Sequence, residues 1–354
     1  MTHATAMLVT ADDSLLDDML RLSAAAGVVL DVAHDTSAAA RGWAVATVVL
    51  VGADLAEPLA ARRVPRRDQV VVVGRSPVGD TLFRAALAVG AEHVAELPAA
   101  ETWLAELLTD VADGGATRGL TIGVVGGSGG VGATTLACAL GLTAATRGPA
   151  LLVDLDPLGP GVDRVVGLEE ADGVRWEGLL ESPGRLGARS LREALPSREG
   201  LGVVTWAADS GPLDAGCVRD VLSAGQRGHG TVVVDLARRR DEVVSQAVAH
   251  CDRVLVVCGL QVPAVASAAR VVDALEQEGA RLGLVARRPR ACSLDPEQVA
   301  GMLDLPLLGT VPDQRRLAEH VDLGLGPVHA PRGPLARLCR TVLHRLSAGV
   351  EAAA

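Results

Sequence analysis

Gly123-Val-Val-Gly-Gly-Ser-Gly-Gly-Val-Gly-Ala-Thr-Thr-Leu136 is the stretch that decides the reading of this chain. An apolar run, Leu120–Val125, leads into it, and a helix of small residues is expected to follow over Leu136–Thr146. Glycines at Gly127, Gly129, Gly130 and Gly132 let the main chain wrap closely enough for successive amides to point at one anion. The start of the following helix adds its positive end to the same place. Thr134 then stands where a hydroxyl can reach a magnesium ion. The frame G-x-x-x-x-G-[K]-[ST] is filled by Gly127, Gly132, Ala133 and Thr134, so alanine holds the lysine position. Such glycines would also suit a tight turn with no ligand, and the choice rests on what lies downstream.

Three carboxylates lie there. Val153-Asp154-Leu155-Asp156-Pro157 closes the next apolar run, and Val232-Val-Val-Asp235 closes a later one. Ligands of open α/β sheets bind at the carboxyl ends of the strands. Asp154 and Asp235, with Thr134, are therefore the candidate magnesium ligands. Each acid alone would pass for an ordinary strand-end cap. Three of them beside one glycine loop favour a phosphate–magnesium site.

Working outward, the 354 residues lead us to expect two domains. Residues 1–115 alternate short apolar runs (Met7–Thr10, Val28–Val32, Thr47–Val51, Val70–Val73) with helical patterns, beginning with Leu15–Ala25 and ending with Ala100–Ala112. A linker at 116–119 follows. A longer α/β series over 120–347 has strand candidates at Leu120–Val125, Ala150–Val153, Leu201–Thr205, Thr231–Val234, Arg253–Cys258, Leu282–Val285 and Leu307–Thr310. Residues 348–354 form a tail. Strands alternating with helices imply parallel sheets covered on both faces.

Composition excludes several functions. All 33 basic side chains are arginine, so no mechanism here can use a lysine ammonium. Net charge is −10, of which −8 falls in residues 1–115, a poor balance for duplex binding by neutralisation of phosphates. Nucleic acid is therefore not an expected partner. The arginine runs Arg238–Arg240 and Arg287–Arg288–Pro289–Arg290 read as solvated surface. Phe83, four Trp and no Tyr leave few rings on which bases could stack. Cys138, Cys217, Cys251, Cys258, Cys292 and Cys339 show neither C-x-x-C nor zinc spacing and fit a reducing compartment. With no signal peptide or membrane-length apolar run, the expected location is cytoplasmic.

The loop Ser128-Gly-Gly-Val-Gly-Ala-Thr-Thr135 resembles the deviant Walker A motif of the ParA/MinD P-loop superfamily, K-G-G-x-G-K-[ST]-T. Asp154–Asp163 is similar to its switch I, and Thr231–Asp235 to its Walker B strand. Gly309–Val328 resembles its C-terminal segment, in which backbone at Pro312 would lie against adenine. The CpaE-like branch matches best, with alanine at 133, Ala194–Leu201, Thr205-Trp206, Val234–Arg238 and Leu305–Leu308. The resemblance covers about 117 to 346 and implies a ParA/MinD-type P-loop NTPase domain with a mainly parallel sheet. It also implies ATP and Mg2+ held by Gly127, Ser128, Gly129, Gly130, Val131, Gly132, Ala133, Thr134, Thr135 and Pro312, with Asp156 as the water-positioning carboxylate.

Two departures matter. The signature lysine that reaches across a nucleotide-sandwich dimer falls on Ser128, and the ordinary Walker lysine falls on Ala133. Each lost charge-assisted contact removes about 1.5–3 kcal/mol, on the order of tenfold to a hundredfold in affinity. Weak or conditional ATP binding and slow or absent hydrolysis are expected, at most a weak P-loop ATPase. Arg147 and Arg238 are candidates to replace the lost charge.

Residues 1–115 resemble a CheY-like, flavodoxin-like receiver, with Asp12 and Asp13 matching its acidic pair. The acceptor position at the end of the third strand falls on Gly52. Asp54, two residues further along an extended strand, would be displaced by roughly 7 Å. Leu97-Pro98 stands where the family has Lys-Pro. A pseudo-receiver without a phospho-acceptor, suited to docking or dimerisation, is expected, with phosphorylation at Asp54 the alternative. At the other end, Leu335, Leu338, Val342, Leu343 and Leu346 form one stripe of a final helix, expected to pack on the sheet rather than lie on a membrane surface. The resemblance implies a positioning or regulatory protein in septum-site determination or in pilus or secretion assembly. It would act through protein partners in that machinery and through a homodimer. The alternative is an active MinD/ParA-type ATPase switch.

Overall fold

Val48-Val-Leu-Val51 and Val70-Val-Val-Val73 are runs of strand length rich in β-branched valine, and all eight side chains are buried. The computed structural model describes residues 5–76, 79–112, 118–180, 186–207, 212–288, 294–311, 313–314 and 316–351. The chain divides into two units, Met1–Thr117 and Arg118–Ala354.

The first unit has strands β1 (Ala6–Val9), β2 (Leu30–Ala33), β3 (Val48–Gly52), β4 (Val70–Arg75) and β5 (His93–Leu97), in the order β2-β1-β3-β4-β5. Every pairing is parallel, and this is the flavodoxin-like order. The two-residue period of a strand sorts the core. Leu8, Leu50 and Val71 join Leu15, Met19, Leu104 and Leu108 on one face. Met7, Val49, Val51, Val70 and Val72 join Leu59 and Leu82 on the other. The helix Asp13–Ala26 starts where the Asp12 side chain accepts from the amides of Ser14 and Leu15, and stops at left-handed Gly27.

The second unit has β6 (Leu120–Gly126), β7 (Ala150–Asp154), β8 (Ser197–Arg198), β9 (Leu201–Val204), β10 (Thr231–Asp235), β11 (Arg253–Gly259), β12 (Leu282–Arg287) and β13 (Leu307–Val311). Their order is β13-β12-β11-β6-β10-β7-β9-β8. All pairings are parallel except β8 with β9. Residue pattern alone does not reveal β8, because two residues carry no period. It exists because Glu199 and Gly200, at φ 50° and 86°, form a two-residue turn that folds Ser197-Arg198 back on Leu201.

The helix Ala133–Ala145 runs behind this sheet with almost every residue from Leu136 to Ala144 buried, which accounts for its small side chains. The helix Pro334–Glu351 lays Leu335, Cys339, Val342, Leu343 and Leu346 into the same core. Its apolar stripe is thus covered by protein. Among the described residues, no helix is long and apolar enough to cross a membrane.

Candidate functional site

The loop from Gly127 to Gly132 leaves the carboxyl end of β6 and enters the helix Ala133–Ala145 through left-handed glycines, Gly130 at φ 68° and Gly132 at φ 91°. The Gly127 amide is spent on the Val257 carbonyl of β11 at 2.8 Å, which pins the loop's first residue to the sheet. A Cβ at Gly127 would lie 2.6 Å from the Ala268 Cβ. Gly129 and Gly130 face open space. Among the described residues, no group accepts from the amides of Ser128 through Thr135. A row of unpaired donors at a helix start is a cradle for an anion with several oxygens.

Asp154 and Asp235 are ladder partners on the adjacent strands β7 and β10, and both are buried. The Thr134 hydroxyl stands beside Asp235 and favours its charged form, so the loop helix and the strand end meet here. Burial, with Asp154 and Asp156 nearby, pushes the Asp235 carboxyl up to about 7. Burial likewise raises Asp154 to about 6. Asp154 is tied to the chain on both oxygens: Oδ1 accepts from the Asp156 amide at 3.0 Å, and Oδ2 from the Val162 amide and Thr205 Oγ1, each at 3.2 Å. It braces the loop 155–162 while adding negative charge. Asp156 caps the next turn by accepting from the Leu158 amide at 3.1 Å, and it lines a cleft of about 650 Å³ with Arg164 and Trp206. Two buried carboxylates raised in this way, one beside a threonine hydroxyl, suit a hard divalent cation.

A cation that the motif does not include stands beside the loop. Arg287, the last residue of β12, donates from Nη1 to the Val131 carbonyl at 3.4 Å. A Cβ on Gly132 would lie 2.6 Å from the same Nη1. Neither arginine expected to replace the lysines does so. Arg147 follows the far end of the helix Ala133–Ala145, about 20 Å from Ala133 at 1.5 Å per residue. Arg238 turns to Ser267 at 3.5 Å and, with Arg239, Arg240 and Arg270, rims a separate cavity of about 310 Å³. Arg287 belongs to a run taken from the sequence as solvated surface, yet it is half-buried. Its signal would have been its position, at the end of a strand candidate on the carboxyl edge. Pro312 lies outside the described residues. Gln314, on that same edge, buries its Nε2 without an acceptor among the described residues.

In the first unit the acceptor position is occupied from elsewhere. The helix Ala53–Arg62 starts directly after Gly52, so the chain does not continue extended to Asp54. The Asp54 carboxylate accepts from Thr10 Oγ1 at 2.8 Å and from the Ala11 amide at 2.7 Å. A Cβ on Gly52 would collide with Asp54 Oδ1. The expected 7 Å displacement is therefore wrong, because the first helical turn swings Asp54 back beside the Gly52 position.

The chain is 36% identical over 336 residues to a protein of Mycobacterium tuberculosis H37Rv described as "Uncharacterized protein Rv3660c", covering 94% of this chain and 95% of that protein. It belongs to the Rv3660c-like family. The family model for the Rv3660c-like, CheY-like N-terminal domain matches residues 9–119. A ParA family ATPase from Chlorobium tepidum superposes with a TM-score of 0.56 at 15% identity, covering 65% of this chain and 99% of that one. The septum site-determining protein MinD of Pyrococcus horikoshii, complexed with Mg-ADP, gives 0.54 at 19% identity, covering 63% and 93%. This Rv3660c-like chain thus joins a CheY-like unit to a unit with the ParA/MinD fold. The residues of the Rv3660c-like site fit a nucleotide phosphate and Mg2+. Free amides and the Arg287 guanidinium are donors suited to an anion, and the Thr134 hydroxyl with the buried acids offers oxygens suited to a cation.

Proposed function

We propose that this protein is a CpaE/MinD-type positioning or regulatory factor, acting in septum-site determination or in pilus or secretion assembly, with a degenerate ATP site. The observation that carries this reading is the cradle of unpaired amides over Ser128–Thr135 in a chain with no lysine. In it the amides of Ser128–Thr135 hold the phosphates, with the Gly127 amide left on the Val257 carbonyl, and backbone at Pro312 with the Gln314 amide meets the base. Thr134 and Asp235 hold Mg2+, and Asp154 contributes mainly charge. Asp156 positions water for whatever hydrolysis remains. Bound Mg2+ would supply charge neutralisation at the phosphates. The protein side contributes position and the dipole of the helix Ala133–Ala145.

Output would pass through protein contacts in the cytoplasm, including a homodimer. The CheY-like unit serves as a pseudo-receiver for docking: Gly52 itself has no carboxylate, and the Asp54 carboxylate that reaches its position is already bonded to Thr10 and the Ala11 amide. The acidic balance argues against DNA as the partner.

Calorimetric titration with MgATP and MgADP, on the wild type and on Ser128→Lys/Ala133→Lys, tests the reading. Weak binding by the wild type, tighter by tenfold or more in the double variant, is the expected result. Turnover of MgATP by the wild type at rates normal for ParA/MinD ATPases would replace the degenerate-site reading with the active-switch one. A wild type and double variant that both ignore nucleotide would remove ATP from the account.

A further inference from the structure

We propose that Arg287 is the phosphate-binding cation of this site, replacing from a distant strand the charge that the loop has lost at positions 128 and 133. The proposal rests on the nucleotide reading above and adds the source of positive charge. β11 lies between β12 and β6, so two strand spacings, roughly 9–10 Å, separate Arg287 from the strand that feeds the loop. A long side chain is needed to cross β11, and arginine provides it. At the far side Nη1 holds the Val131 carbonyl at 3.4 Å. Gly132 gives way to it, since any Cβ there would lie 2.6 Å from Nη1. The glycine is thus required twice, by its φ of 91° and by the guanidinium beside it.

The remaining hydrogen-bonding capacity points to a ligand with several oxygens. A guanidinium carries five N–H donors, and among the described residues Arg287 makes a single long bond, to Val131. Among the described residues no carboxylate lies within ion-pair distance of it, while the next residue, Arg288, pairs with Asp295 at 3.9 Å. These spare donors stand beside the unpaired amides of Ser128–Thr135. Two sets of free donors, one of them permanently charged, converge on the same loop. Phosphate oxygens of a nucleoside di- or triphosphate satisfy both.

Isothermal titration of MgADP and MgATP into the full chain tests this on wild type, Arg287→Ala, Arg287→Gln, Arg287→Lys and Arg287→Ala/Ala133→Lys. Unfolding without nucleotide checks each variant's fold. Loss of the guanidinium should weaken binding tenfold to a hundredfold. Lysine at 287 should retain part of the affinity. Lysine at 133 should restore binding in the Arg287→Ala background, because charge then returns from the loop itself, a rescue that a merely structural arginine would not permit. Arg287→Gln keeps a donor for Val131 and carries the comparison if Arg287→Ala does not fold. A wild type that binds while Arg287→Ala and Arg287→Gln bind equally well or more tightly overturns the role of Arg287 alone; tighter binding would mark it as a plug. A wild type that binds neither nucleotide overturns the nucleotide reading and this proposal together.

Discussion

Asp235 shows how a buried carboxylate weakens the fold that holds it. Its native carboxyl keeps a proton up to about pH 7, while the unfolded chain releases it near 3.8. The native state therefore binds more protons in that window, and stability falls as pH rises through it. The shift amounts to at most about 4 kcal/mol at pH 8. Asp235→Asn should thus stabilise the second unit at pH 8 without Mg2+, and the gain should shrink toward pH 4 in denaturant melts. Added Mg2+ should stabilise the wild type more than this variant, since the ion takes over from the proton. His229 works in the opposite sense. Burial lowers it to about 4 from 6.5, with Nδ1 against the Gly225 carbonyl at 3.1 Å. The unfolded chain gains a proton first, so stability is lost as pH falls from 6.5 toward 4, by up to about 3 kcal/mol. His229→Gln should flatten that acid limb; an unchanged limb would show that another group sets it.

At the scale of elements, the strand–loop–helix from Leu120 to Ala145 is held by close backbone approach. Gly127→Ala would set a methyl 2.6 Å from Ala268 Cβ and 3.2 Å from the Val257 carbonyl. The expected cost is about 1–3 kcal/mol in thermal or denaturant unfolding. Gly129→Ala enters open space and should leave stability unchanged. Equal costs for the two would contradict the pinned-loop geometry. The final helix gives a second test. Leu343 is 2% exposed within the core of the second unit. Leu343→Ala should cost about 2–5 kcal/mol, while the wild type should not sediment with anionic vesicles. The stripe could be read from the sequence, but its burial depended on the neighbouring helix Ala133–Ala145 and β13. A stripe of that period fits a bilayer surface and a protein core equally well.

On the scale of the whole molecule, among the described residues the apolar clusters of the first unit contain none beyond Val111, and those of the second none before Leu120. Each sheet is covered on both faces from within its own unit, so each should fold alone. Met1–Thr117 and Arg118–Ala354, expressed separately, should each give a cooperative melt with native circular dichroism. A single merged transition in the full chain that vanishes when the units are separated would count against this. The amino-acid order by itself determined the succession of strands and helices, the glycine loop and the strand-end acids, because these depend on near-neighbour sterics and on apolar period. It also determined that no ammonium group could serve the loop. What tertiary structure alone decided was which arginine faces that loop. Val131 and Arg287 stand 156 residues apart, and their meeting depends on the order β12-β11-β6, which long-range packing sets. The return of Asp54 to Gly52 was decided in the same way, by where a helix begins against its neighbours and not by the spacing of two residues.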